Sequence, residues 1–220
     1  AESQLGKMYY EIGYLPAAGE HLQVSKRLWT MLGNPLEAAQ DTFVLVETLR
    51  LGERFIEATD SIFEIQPVVL RLGSEKLAGD WWFQYAVICA VMSSFSQCID
   101  SLNKALDYYP QNCPEQRAAC YALMIYATAK IERKVDEQHA LEALQVLDPD
   151  LTTFTYAPSI CTGLASVLKD EPLRAALLQK SSRHLKAAAQ KITDESIREQ
   201  FFARPDRHTL LNLSKSEYMG

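Results

Sequence analysis

The chain has 220 residues, 48% of them hydrophobic, and its 22 Lys/Arg against 28 Asp/Glu give a net charge of −6. That apolar share is enough for a sizeable core, and the acidic balance argues against a surface built for broad nucleic-acid binding. The longest nearly apolar run, Tyr85 to Met92, is far short of the roughly 20 residues a membrane-spanning helix needs.

Helical periodicity dominates, and strand-like alternation between turn residues is scarce. The first pair of predicted helices covers Ala1–Ile12 and Ala17–Leu32, broken at Gly13-Tyr14-Leu15-Pro16. Asn34-Pro35 supplies an N-cap followed by a proline whose missing N–H does no harm in a first turn, and the third helix runs to Leu51. A fourth extends from Glu53 to Leu72, with Pro67 expected to kink or end it and Gly73 to close it. Then come Glu75–Met92, Ser96–Tyr109 ended by Pro110, and a helix opened by Pro114 that runs to Glu132. Val135–Leu147 follows, with Asp148-Pro149-Asp150 as its turn. Thr152–Leu168, Glu171–Lys191 and a terminal cap of Asp194–Ala203 and Asp206–Leu213 complete a single domain over residues 1–213. Residues 214–220 are expected to fray as a disordered tail.

The helix stops recur. Gly13 and Gly52 are 39 residues apart, and Ser93 stands 41 further on. A period near 40 suits two helices of four to five turns with short loops. Small residues are expected where paired helices cross, Gly6 with Ala18 and Ala86 with Ala105, with Leu5, Tyr9, Leu22, Trp82, Tyr85 and Leu102 filling the space between.

Trp82, Tyr85, Ala86, Cys98, Leu102, Ala105, Leu106 and Pro110 stand at the spacing of the tetratricopeptide repeat, and Leu5, Gly6, Tyr9, Gly13 and Ala18 repeat part of it. The chain therefore resembles the tetratricopeptide repeat (TPR) family, over about residues 1–52 and 79–110. It departs from the pattern at Tyr85 (usually Leu), Cys98 (usually Ala) and Ser25 (usually Ala). The junction Leu32-Gly33-Asn34-Pro35-Leu36-Glu37-Ala38-Ala39 looks like the 40-residue variety found in large signalling ATPases and adaptors. The ending from Arg198 to Leu211 is similar to the C-termini of bacterial signalling ATPases that carry such repeats.

The resemblance implies an all-α, right-handed superhelix (an α-solenoid) of antiparallel hairpins, about five repeats and a C-terminal capping helix. It also implies a concave groove lined by the first helix of each hairpin, suited to a peptide or a partner helix. Its groove positions fall on Ser3, Lys7, Tyr10 and Glu11 in the first unit and on Phe83, Val87, Ala90 and Val91 in the third. The expected binding groove is thus Lys7, Tyr10 and Glu11 as polar contacts with Phe83, Val87 and Val91 as the apolar anchor. It lacks the ring of Lys, Asn and Arg by which co-chaperone repeats hold a peptide carboxylate.

No catalytic or cofactor motif is present: no phosphate-cradling glycine loop, no His-Glu-x-x-His, no Gly-x-Ser-x-Gly. The chain is not expected to be an enzyme or to hold a cofactor. Five cysteines at irregular spacing read as reduced thiols of a cytoplasmic protein, and Cys113, Cys120 and His139 fit no common zinc spacing. The histidines His21, His139, His184 and His208 are scattered, with no partner group apparent. The chain opens on Ala1 without a leader pattern and reads as a segment of a larger regulatory protein. The expected function is a protein-interaction or sensor scaffold that takes a protein or peptide, with self-association left open. The alternatives are a helical accessory of an enzyme and a small-molecule pocket on the Phe83–Val91 face.

Overall fold

A computed structural model describes residues 1–132 and 157–216. Among these residues there are eleven helices: α1 Glu2–Ile12, α2 Leu15–Met31, α3 Pro35–Leu51, α4 Phe55–Leu72, α5 Glu75–Val91, α6 Phe95–Tyr108, α7 Pro114–Glu132, α8 Ala157–Ala165, α9 Glu171–Gln190, α10 Glu195–Ala203 and α11 Pro205–Ser216. The expected helix Val135–Leu147, its turn at Asp148-Pro149-Asp150 and His139 lie outside the described residues.

The first three hairpins (α1/α2, α3/α4, α5/α6) stack in chain order, each second helix packing on the first helix of the next unit. Their repeat is stricter than the glycines alone suggest. Left-handed backbone stands at Gly13, Gly33, Glu53, Gly73 and Ser93, one residue in every 20. Gly52, the expected stop, has φ −85, and the turn belongs to Glu53 at φ 60. The hairpin period is therefore 40 on both sides, rather than 39 and 41.

Four of these turns close in the same way. The left-handed residue donates back three positions, as Gly13 N–H does to the Tyr10 carbonyl, and the next residue donates back five, as Tyr14 N–H does to Tyr9. The pairs Gly33/Asn34, Glu53/Arg54 and Ser93/Ser94 repeat the pattern, which satisfies carbonyls that a helix end leaves orphaned. Helix starts are capped from the side chain by Asn34, Ser74, Asp170 and Asp194. α4 runs unbroken through Pro67.

The same register fixes the core. Gly6, Val46 and Ala86 are 40 residues apart, as are Ala18, Ala58 and Cys98, and Leu22, Ile62 and Leu102; all nine are buried. A Cβ on Gly6 would lie 2.7 Å from Cγ of Leu22, so the crossing there tolerates only glycine. Gly79 does the same service against the Tyr109 ring at 2.7 Å. One expectation is corrected. Trp81 is the buried indole and donates to the Ile62 carbonyl at 2.7 Å. Trp82 is half-buried, with the Lys104 ammonium 4.2 Å from its ring centre.

Asp41 is a second, polar core. Its side chain is fully buried on α3 and takes Ser3 Oγ (2.8 Å) and Lys7 Nζ (2.7 Å) from α1, and Ser25 Oγ (2.6 Å) and Trp29 Nε1 (3.1 Å) from α2. Ser25, the departure from the usual alanine, is there for this carboxylate.

After α6 the period lapses. The α6–α7 junction is pinned instead by Arg117, whose guanidinium donates to the carbonyls of Leu106 and Tyr109. α8 packs on α7, the helices α8, α9 and α11 pack on one another, and α10 returns to α1. α11 continues to Ser216, so the start of the expected frayed tail is helical, and Ser214 is buried.

Candidate binding groove

Two regions gather most of the expected groove residues, and they are chemically unlike. The first is an open cleft of about 400 Å³ where α8 and α11 face the first helices of the hairpins. Its floor is apolar: Val87, Ala90 and Val91 from α5, Leu123 and Tyr126 from α7, and Ile160 from α8. Its wall is polar, with Arg50 at the end of α3 and Thr162 and Asp206 from α8 and α11. Val91 is 41% exposed, and Ile56 and Met92, next to the cleft residues Phe55 and Val91, are exposed at 77% and 55%.

Arg50 and Asp206 are both fixed by pairing. Arg50 makes a two-pronged contact with the fully buried Glu47 and reaches Ser159 Oγ at 3.3 Å. Burial alone would lower the Arg50 pKa, but the Glu47 carboxylate outweighs it and holds the guanidinium above its ordinary value. Arg204 and Asp206 pair through two bonds of 2.8 and 2.9 Å, clasping the junction of α10 and α11 around Pro205. The Thr162 hydroxyl is buried in the wall without a hydrogen-bond partner among the described residues.

The second region is the end of α1, where the chain's own C-terminal helices already sit. Gln200 Nε2 donates to the Gly13 carbonyl at 3.2 Å. Arg207 Nη1 donates to the Glu11 carbonyl, and Nη2 meets Glu11 Oε2 at 3.1 Å. The Arg204 guanidinium lies over the Tyr10 ring, 4.8 Å from its centre. A Cβ on Gly13 would come within 2.8 Å of the Gln200 carbonyl, so this approach needs glycine for space as well as for φ 90. Burial, with the neighbouring Arg204 charge, lowers the Arg207 pKa to about 10. Burial raises that of the Tyr10 phenol.

The expected set therefore divides. Val87 and Val91 line the cleft. Phe83 and Val87 are only 3% and 7% exposed, and both belong to the apolar core shared by α5–α11; Val87 shows just an edge to the cleft, and of the three expected anchor residues Val91 alone is exposed. Lys7 is spent on Asp41, while Tyr10 and Glu11 receive Arg204 and Arg207. Arg50, Glu47, Arg204 and Asp206 are the residues that sequence reasoning missed. Their visible signals are local: Glu47 and Arg50 stand at the i, i+3 spacing of a helical ion pair, and Arg204 and Asp206 sit two apart in the charged run Arg204-Pro205-Asp206-Arg207.

Among the described residues, no three or more His, Cys, Asp or Glu side chains converge as a metal site would require, and no helix is long and apolar enough to cross a membrane. Cys89, Cys98, Cys120 and Cys161 are buried free thiols, and burial raises the pKa of each, to about 12 at Cys98 and about 11 at Cys161.

No protein-family model matches the chain, and no curated protein sequence matches it. Solved structures do. A candidate kinesin light chain of Podosopora anserina with nearly identical TPR-like repeats superposes at a TM-score of 0.52 and 13% identity, covering 99% of this chain and 93% of that one. A single-residue variant of the same Podosopora anserina protein gives 0.52 and 11%, covering 100% and 95%. At such identity the likeness speaks for architecture, and with the 40-residue register it leads to one conclusion: the chain folds as an all-helical, TPR-like repeat solenoid.

Proposed function

We propose that this domain is a protein-interaction scaffold that binds an apolar peptide or partner helix in the cleft between α5, α7, α8 and α11, as the repeat region of a larger regulatory protein. One observation carries the reading: an open cleft with an apolar floor on α5, where Val91 is 41% exposed beside the nearly buried Val87 and Ala90. Shape-holding helices lower the entropic cost of docking, and apolar contacts at such a floor supply the affinity. The test is a display library of 16-residue peptides selected against the intact domain. Selected ligands are expected to be apolar, and Val91→Arg to weaken them at least tenfold with melting unchanged. Ligands that bind Val91→Arg as well as wild type would overturn the reading.

A second reading, a small-molecule sensor, is favoured by the cleft's volume, within the range of ligand pockets, and by the unpaired Thr162 hydroxyl in its wall. A metabolite that raises the melting temperature, with the rise lost in Val87→Phe, would favour it over the first.

A further inference from the structure

The α8–α11 segment is held to the rest of the molecule by two different kinds of contact. Toward α5–α7 it is apolar: Ile160, Leu164, Leu177, Leu185, Phe201 and Leu210 belong to one cluster with Ala86, Cys98 and Leu123. Toward the first two hairpins it is polar. Among the described residues, neither apolar cluster of those hairpins contains a residue from α8–α11. What crosses instead is Gln200 to the Gly13 carbonyl, Arg207 to the Glu11 carbonyl and carboxylate, Arg204 over Tyr10, and Ser159 beside Arg50.

We infer that the end of α1 is an arginine-reading docking surface whose resident occupant is the chain's own α10–α11 junction. The partner it fits is a segment that presents two arginines three residues apart, as Arg204 and Arg207 do. The chemistry is complementary. The end of α1 offers the Glu11 carbonyl, the negative end of the helix dipole, the Glu11 carboxylate and the face of the Tyr10 ring. Guanidinium groups answer all four, through several directed N–H donors and a flat face that stacks. The lysine ammonium is a poor substitute.

The resident occupant is also releasable. Apart from the face of the Tyr10 ring, breaking this contact exposes charged and polar groups to water, and buried ion pairs add little net stability over their hydrated state. Two polar atoms at the contact, the Tyr10 hydroxyl and Arg207 Nε, are buried without hydrogen-bond partners among the described residues while it is docked, a cost that hydration on release would relieve. Release would leave α10–α11 attached through the apolar cluster and open the first hairpin to another chain. The docked segment shares a wall with the cleft, where Pro205, Asp206 and Thr209 of α11 stand, but the docking surface is the end of α1, and the cleft floor belongs to α5, α7 and α8.

The test uses the intact domain. Hydrogen exchange in wild type is expected to show amides of 195–216 opening at least tenfold more often than those of α5. Glu11→Arg, a change at a half-exposed side chain, should raise that opening a further tenfold, and Glu11→Arg with Arg207→Glu should restore it. A synthetic peptide of residues 195–216 should then bind the Arg207→Glu domain, and the same peptide with Arg204 and Arg207 changed to Ala should bind at least tenfold more weakly. Exchange of 195–216 that tracks α5 in wild type and Glu11→Arg alike, or equal binding of the two peptides, would overturn the inference.

Discussion

From Glu2 to Tyr108, a left-handed residue stands every 20 positions in the turns between helices, and the three hairpins bury equivalent positions 40 apart. From Ala157 to Ser216 neither feature recurs among the described residues. The repeats bind to their neighbours in sequence, so each unit's stability is a local matter of crossing residues and turns. The C-terminal helices bind to what is distant in sequence, α5–α7 by apolar packing and α1 by arginines. One region shows how a solenoid extends. The other shows how it is turned back across its own groove.

The largest effect is expected inside the repeats. Asp41→Ala removes the carboxylate that Ser3, Lys7, Ser25 and Trp29 share and leaves the buried Ser3 and Ser25 hydroxyls without their acceptor. A loss of about 2–4 kcal/mol in denaturant melts is expected for two buried groups left unsatisfied. A loss near zero would mean that the first hairpin is held by its apolar contacts alone.

Next is the overpacking of a crossing. Ala86→Leu, at a fully buried position, should cost about 1–3 kcal/mol, and Gly6→Ala should follow the same logic because its Cβ meets Leu22. An unchanged midpoint would show that the 40-residue register is wrong.

The two regions separate most sharply at a pair of glycines. Gly13 and Gly33 both have left-handed backbone, but a Cβ at Gly13 meets the Gln200 carbonyl whereas nothing lies within 4 Å at Gly33. Gly33→Ala should cost about 1 kcal/mol, the left-handed penalty alone. Gly13→Ala should cost that and also loosen α10, seen as faster exchange in residues 195–203. Equal effects of the two would break the distinction between a repeat turn and a docking point.

Smaller still is the thiol contribution. Cys98 and Cys161 keep their protons in the folded state up to about pH 12 and pH 11, while an unfolded thiol ionises near pH 9. The unfolded chain therefore binds fewer protons above pH 9, and stability should fall as pH rises from there toward 12. Half-buried Cys113 should meet alkylating reagents first. The smallest change is a gain: Ser93→Gly, at φ 60, should stabilise by under about 1 kcal/mol.

Much of the fold was legible because local rules wrote it. Asn34-Pro35, Gly13, Gly73 and the small residues Gly6, Ala18 and Ala86 act within one hairpin, where a helix end or a crossing admits few residue types. Where the rule was looser the reading slipped. A glutamate and a serine hold left-handed turns, because the double hydrogen bond of the helix end offsets their strain, and so the stop was placed at Gly52.

The site was less legible. Family positions led to the concave face, and Val87 and Val91 do line the cleft there. They also led to Phe83, and no local pattern tells whether an aromatic on α5 meets solvent or the α8–α11 body. The sequence by itself determined the helices, their turns, the 40-residue register and the absence of familiar catalytic motifs, since each depends on residues within about one hairpin. Only the tertiary structure decided that Arg204 and Arg207 meet Tyr10 and Glu11, some 194 and 196 residues away, and that a cleft opens between α5, α7 and α8. Contacts of that separation leave no periodic trace, because they are set by the summed rotation of every hairpin between them.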